Sequence, residues 1–316
     1  MSYELERRVA IDAVSLAAQL CERVRKSMPQ AVAKQDKSPV TIADYGSQAL
    51  ICRAIASAFP DDPIVGEEDA SSLSDDNALL AQATDCIRDF IPEATPTRTL
   101  DWIGLGNGEV ADRYWTLDPI DGTKGFLRDD QYAVALALVE NGEIVLGVLG
   151  CPAYPLGDGE KGAMFVAIRG RGATMTPFGS DMPQSLRVSS TALRFVESVE
   201  SGHGDQSRQS AVAQAVGITE PSLRMDSQAK YAAVARGEAA LYLRLPSPKT
   251  PDYREKIWDH AAGVLVVKEA GGKVTDMFGQ PLDFTQGAKL VNNQGTVVSN
   301  GEIHDTVIEA LAGQPV

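Results

Sequence analysis

The chain has 316 residues, a formal net charge of −14, and 44% hydrophobic but only 6% aromatic residues. That length fits one large domain or two modest ones, and the apolar share suffices for a sizeable core. The acidity excludes duplex nucleic-acid binding, which needs basic stripes, and no apolar run reaches membrane-spanning length.

The opening Ser2-Tyr3-Glu4-Leu5-Glu6-Arg7-Arg8 is a charged helix start, not a basic-then-apolar signal segment. Cytoplasmic residence is the expectation. Cys21, Cys52, Cys86 and Cys151 are scattered without C-x-x-C spacing, which argues against zinc and against a disulfide framework. Cys21, Cys52 and Cys151 stand beside apolar residues and read as core thiols.

Leu5, Val9, Ala13, Leu16, Leu20 and Val24 recur at steps of three or four, which predicts an amphipathic helix ending before Met28-Pro29. Thr41 and Asp44 read as a capping box with Asp in place of Glu. Asp44 then lies in the first turn of a helix that runs to Phe59 and is stopped by Pro60. Ile64-Val65 is a short strand entering Gly66-Glu67-Glu68. Alone, Asp44 reads as a helix-start carboxylate, and Glu67 and Glu68 as solvated loop acids. Residues 69–112 are polar and interrupted by Pro92, Pro96, Gly104, Gly106 and Gly108. A helix could occupy 77–90; the rest reads as a mobile flap.

Tyr114 to Leu117 is a buried strand that should stop at Asp118-Pro119, since proline lacks an N–H and fixes φ. Asp121-Gly122 is a further turn signal. Two ionised carboxylates about 4 Å apart repel by roughly 4 kcal/mol at an effective dielectric near 20. A divalent cation turns that repulsion into attraction, and hard oxygen ligands suit magnesium, manganese or calcium. A bare D-P-x-D-G also serves as a polar turn whose aspartates cap backbone, so spacing alone leaves both readings open.

Tyr132–Val139 and Ile144–Leu149 read as strands joined by Asn141-Gly142, a hairpin signal. Met164–Ile168 and Ala173–Met175 form another pair across Arg169-Gly170-Arg171-Gly172. An antiparallel sheet in a first domain, 1–188, is expected, with a boundary near Ser185–Ser190. The remainder, 189–316, alternates strand and helix like a smaller mixed α/β domain. Its strands are Phe195–Val199, Leu223–Met225, Ala239–Leu245, Lys289–Val291, Thr296–Ser299 and one near Val274. Its helices are Gln228–Arg236, Ile257–Ala270 and one from about Glu302 to Leu311.

The string Asp118-Pro119-Ile120-Asp121-Gly122-Thr123-Lys124-Gly125-Phe126-Leu127-Arg128 resembles the signature of the magnesium-dependent, lithium-sensitive phosphatase superfamily of the inositol monophosphatases. Its longer form is most similar to that of the bisphosphate nucleotidases. Pro39-Val40-Thr41 with Asp44, Gly66-Glu67-Glu68, and Trp258-Asp259-His260-Ala261-Ala262-Gly263 carry the likeness over nearly the whole chain. Asp129 departs from the pattern, which has Gly there.

The resemblance implies an αβαβα sandwich of the sugar-phosphatase type. It implies two or three Mg2+ ions, with Mn2+ a substitute, on Glu67, Asp118, the Ile120 carbonyl, Asp121 and Asp259. Asp44 and Thr123 would orient or deprotonate the attacking water. Thr123, Glu200, Gly202, His203, Ser227, Lys230, Arg244 and Asp259 would contact an adenine nucleotide and its phosphates. The implied activity is removal of the 3'-phosphate from adenosine 3',5'-bisphosphate by a metal-activated water. Action on the related 5'-phosphosulfate follows, with a role in sulfur assimilation. An inositol (poly)phosphate 1-phosphatase or a fructose-1,6-bisphosphatase is the alternative within the superfamily; a nucleotide or metal sensor is the alternative outside enzymes. A monomer with a small-molecule nucleotide as its partner is expected.

Overall fold

The computed structural model describes residues 2–27, 38–199 and 205–313. In the first part, α1 (Glu4–Ser27) and α2 (Ser38–Ala58) precede β1 (Ile64–Gly66). There follow α3 (Ala70–Ser74), α4 (Asn77–Arg88), α5 (Pro96–Gly104), β2 (Arg113–Asp121) and α6 (Thr123–Leu127). The strands β3 (Ala133–Glu140), β4 (Glu143–Gly157), β5 (Glu160–Ile168), β6 (Ala173–Pro177) and β7 (Gln184–Ser185) complete a sheet in sequence order. Only β1 and β2 run parallel in it; the other pairs are antiparallel.

The second part holds β8 (Phe195–Glu197), α7 (Gln206–Ala215), β9 (Leu223–Arg224), α8 (Ala229–Ala235) and β10 (Leu241–Arg244). It ends with α9 (Ala261–Glu269), β11 (Lys273–Thr275), β12 (Thr296–Ser299) and α10 (His304–Ala312). Its sheet has the order β11-β12-β10-β8-β9 and mixes parallel with antiparallel pairs.

Strand alternation sorts the side chains into layers. Trp115, Leu117, Leu136 and Val148 face α1 and α2, where Leu20, Ile51 and Ile55 meet them. Tyr114, Ala135, Ala137 and Phe165 point the other way, toward Tyr231 of α8 and Val264 and Val266 of α9. The same core continues through α8 and α9 to Tyr242 and Val298 of the second sheet. Val212 of α7 and Val307 and Leu311 of α10 cover that sheet's outer side against Leu241, Leu243 and Val297. The layers are therefore αβαβα.

Several local expectations change. The helix α2 starts at Ser38, so Thr41 lies inside it, and Asp44 sits in its second turn. Residues 69–112 hold the expected helix, α4, and two further helices, α3 and α5, where irregular chain was expected. Leu73, Leu80, Ala83, Ile87 and Ile103 are spaced to bury one face each against α2 and its neighbours. Strand β2 runs through Pro119 to Asp121. The helix α7 has no clear apolar stripe in Gln206–Ala215 and gives no sequence signal. Lys289–Val291 forms only an isolated bridge, Lys256 to Lys289, in place of a strand. Cys21, Cys52 and Cys151 are buried and free, as core thiols should be.

Ala137, Gly147 and Ala167 are register partners on the face that receives α9. A Cβ on Gly147 would stand 2.7 Å from the Ala262 carbonyl. This trough of small residues lets the start of α9 lie against the sheet. Gly147→Ala should lower stability by about 1–3 kcal/mol through overpacking, read as a lower melting temperature.

Candidate active site

The decisive local feature is a bulge in β2. Asp118 pairs with Ala135 and Asp121 pairs with Ala133, so three steps on one strand match two on the other. In a regular strand residues three apart face opposite ways. The extra residue restores them to one side, the side of Ala133 and Ala135. Ile120 points its side chain into the opposite core. Pro119 sits at the irregular step, where no ladder N–H is needed.

The helix α2 braces two of the acidic segments. Ser47 Oγ donates to the Pro119 carbonyl at 3.0 Å. Gln48 Nε2 donates to the Glu68 carbonyl at 2.6 Å, and Gln48 Oε1 accepts from Glu68 N–H at 3.0 Å. Both side chains are fully buried. Gly66 and Gly106 leave room for Gln48; a Cβ on either would approach its amide within 2.7 and 2.5 Å. No motif marks Ser47 or Gln48. Their polar side chains on the buried face of a helix are the only available signal.

Asp259 precedes α9, whose N-cap is His260, so it stands just outside the helix. Gln228 Nε2 donates to the Trp258 carbonyl at 2.9 Å, Gln228 Oε1 accepts from Gly263 N–H at 3.0 Å, and Gln228 N–H donates to Asp121 at 2.6 Å. One residue thus ties Asp121 to the segment that carries Asp259. Gly122 has φ +88°, and a Cβ there would stand 2.9 Å from Ser227 Cβ, so the signature turn and the start of α8 pack closely. Arg128 forms an ion pair with Asp226, closing the same junction.

Glu67, Asp118, Asp121 and Asp259 act on one another electrostatically, and Asp44 feels Glu68 and Glu67. Desolvation, joined by the Asp259, Glu68 and Asp121 charges, pushes the Glu67 carboxyl up to about 7, although the residue opens to solvent. Desolvation and Asp259 push Asp121 up to about 6. Burial, then Glu67 and Asp121, drive Asp118 well above the carboxylate range. Burial, then Glu68 and Glu67, do the same to Asp44. Among the described residues no Thr123–Asp44 hydrogen bond forms; the exposed Thr123 hydroxyl reaches the Ile120 carbonyl at 3.5 Å.

Cations lie beside the acids. Lys230 is 3% exposed, within 5.2 Å of the Tyr242 ring centre, and burial lowers its ammonium to about 8 despite the pull of Asp121. Arg244 Nη2 lies 3.5 Å from Asp259. Ser227 Oγ accepts from Ala229 N–H at 3.2 Å. Glu200, Gly202 and His203 lie outside the described residues.

Asp118 Oδ1 is buried without a hydrogen-bond partner. A buried carboxylate oxygen left so is costly unless a cation meets it. The surrounding donors are carboxylates, with the Ile120 carbonyl at the bulge, a hard-oxygen set. The residues therefore fit a divalent ion. Glu255, Asp259 and His260 also bring ligand atoms within 4.8 Å of one another. There, however, the Arg244 guanidinium already lies 2.7 Å from Glu255.

The inositol monophosphatase family model matches residues 5–314. The chain belongs to the inositol monophosphatase family. This family is metal-dependent, and Glu255, Asp259 and His260 form a group that can hold a metal ion. A 3'(2'),5'-bisphosphate nucleotidase from Emericella nidulans is 44% identical, with 98% of each chain covered. One from Schizosaccharomyces pombe is 42% identical over 99% of this chain and 96% of its own. An inositol monophosphatase from Zymomonas mobilis shares the fold, with a TM-score of 0.66, 18% identity and 99% of both chains covered.

The raised carboxyls give a signed pH dependence. Glu67 and Asp121 hold protons in the folded, metal-free chain that the unfolded chain has released. Their contribution is intact below the unfolded values near 4 and is lost as pH rises through the folded ones. In chelator, the melting temperature should fall between about pH 5 and about pH 8. Added divalent ions should stabilise more at the higher pH, since they compete with protons for the same oxygens.

Proposed function

We propose that this chain is a phosphomonoesterase that removes the 3'-phosphate of adenosine 3',5'-bisphosphate, giving AMP and phosphate. We extend the reading to the corresponding 5'-phosphosulfate, which places the enzyme in sulfur metabolism. The observation that carries it is the pair Lys230 and Arg244 set against Asp121 and Asp259. Cations on the far side of an acidic cluster suit a substrate with a second phosphate. The names of the relatives from Emericella nidulans and Schizosaccharomyces pombe support the same class.

Glu67, Asp118, the Ile120 carbonyl, Asp121 and Asp259 would hold two or three Mg2+ ions, or Mn2+ in their place. Bound there, such ions neutralise phosphate charge and lower the pKa of water. The protein's own part is positioning. The Thr123 hydroxyl and the Asp44 carboxylate orient a water and draw its proton toward Asp44. The water oxygen bonds to phosphorus as the bond to the 3'-oxygen breaks, and that oxygen takes a proton from solvent water as it leaves. Burial makes Asp44 a stronger base once its charge is restored. Lys230 and Arg244 take the non-scissile phosphate, with the Ser227 hydroxyl beside them. Glu200, Gly202 and His203 are assigned to the nucleoside. The reading includes a monomer in the cytoplasm, inhibition by lithium, and two units, 1–188 and 189–316, with the substrate between them.

Phosphate release from adenosine 3',5'-bisphosphate should exceed that from inositol 1-phosphate. A clear preference for the inositol ester would move the enzyme to the sugar-phosphatase branch. Lys230→Ala should lower kcat/KM for the nucleotide by about tenfold or more and leave the inositol ester little changed.

Gln48→Leu removes the brace on the Glu67 segment without touching an acid. Its divalent-ion affinity should fall by about tenfold or more, measured by calorimetric titration. An unchanged affinity would show that the loop holds itself.

A further inference from the structure

Glu255 has no role in the chemistry above, yet it sits at the centre of a buried chain. Its Oε2 is 2.7 Å from Arg244 Nε and 3.4 Å from His260 Nε2. The His260 Nδ1 is 2.6 Å from the Tyr231 hydroxyl. Tyr231, Glu255 and His260 are 1%, 7% and 0% exposed. The chain starts on α8, passes through the N-cap of α9, and ends at a guanidinium on β10. Nothing in it reaches open solvent except through Arg244.

Two features make this more than core packing. Burial pushes the Glu255 carboxyl up, but Arg244 and His260 outweigh it and hold the group below the usual range, so it is ionised inside the protein. A buried ion pair adds little stability over an apolar replacement of the same size, and its best use is to fix one arrangement. Arg244 also needs fixing. Its long side chain stands among Asp121, Asp259 and Glu255. A free guanidinium would settle on an acid of the metal cluster and neutralise it. The 2.7 Å contact from Nε to Glu255 limits that: Nη2 meets Asp259 only at 3.5 Å.

We propose that Glu255 is a positioning residue: it anchors the Arg244 guanidinium at Nε, beside Asp259, and turns the rest of the fork toward the second phosphate of the substrate, and His260 and Tyr231 hold Glu255. This rests on the nucleotidase reading. Arg carries five N–H donors in a rigid fork, so pairing Nε with Glu255 still leaves donors for a phosphate. The partners also fix which way the fork turns.

The test is a double-mutant cycle on the full chain with two substrates, adenosine 3',5'-bisphosphate and adenosine 3'-monophosphate. Glu255→Gln should raise KM for the bisphosphate by about tenfold, with kcat changed less than about twofold. KM for the monophosphate, which lacks the second phosphate, should move far less. In an Arg244→Lys background, which loses the fork, adding Glu255→Gln should have little further effect. Glu255→Asp keeps the charge and should recover part of the loss; it also replaces Glu255→Gln in the cycle if that variant does not fold. Equal loss on both substrates, a fall in kcat with unchanged KM, or additive effects with Arg244→Lys would each overturn the proposal. A wild-type chain that hydrolyses neither nucleotide would instead overturn the nucleotidase reading, so the two failures are separable.

Discussion

Everything at the site follows from mutual repulsion among acids that the fold forces together. Glu67, Asp118, Asp121 and Asp259 come from a loop after β1, from both sides of a bulge, and from the approach to α9. None would choose the others' company in the absence of cations. Burial and that repulsion together raise the carboxyls of Glu67, Asp118 and Asp121, and the unpartnered oxygen of Asp118 is the sharpest point of the conflict. A cluster held in this state is preorganised: binding a hard cation relieves strain that is already present and needs little rearrangement.

The protein holds the acids largely by bracing their backbones. Ser47 and Gln48 of α2 bond to the main chain at Pro119 and Glu68. Gln228 bonds to main chain at Trp258 and Gly263. Gly147 brings α9 close enough for Asp259 to join the others. The cost of crowding charges is met by packing elsewhere, in the αβαβα layers that share one continuous core.

Much of this was readable from the chain. Fixed Pro, Gly and Asp positions made the signature legible, and alternating apolar residues located β3 and β4 with their Asn141-Gly142 turn, both residues at positive φ. What escaped was tertiary. Pro119 read as a strand end, because a bulge that absorbs a proline leaves no local mark. Outside the helix near 77–90, the excursion over 69–112 read as irregular because α3 and α5 are short and take their stability from their neighbours rather than from their own composition. Asp129 replaces an expected Gly and adopts φ +61°, a conformation aspartate tolerates better than most residues, with Arg25 3.2 Å away. Ser47, Gln48 and Glu255 carry no motif, and their roles exist only through partners remote in sequence.

The cations complete the picture. Lys230 and Arg244 stand behind the acids, one buried under an aromatic ring and one tied to Glu255. On the proposed reading, the acids recruit metal and the cations add a reason for a doubly phosphorylated ligand to choose this cleft. The most direct test of the central claim is an anomalous difference map from a crystal soaked in manganese. Peaks are expected enclosed by Glu67, Asp118, Asp121 and Asp259, with the Ile120 carbonyl in the coordination shell. Peaks confined to Glu255 and His260, or none at the β2 bulge, would contradict it.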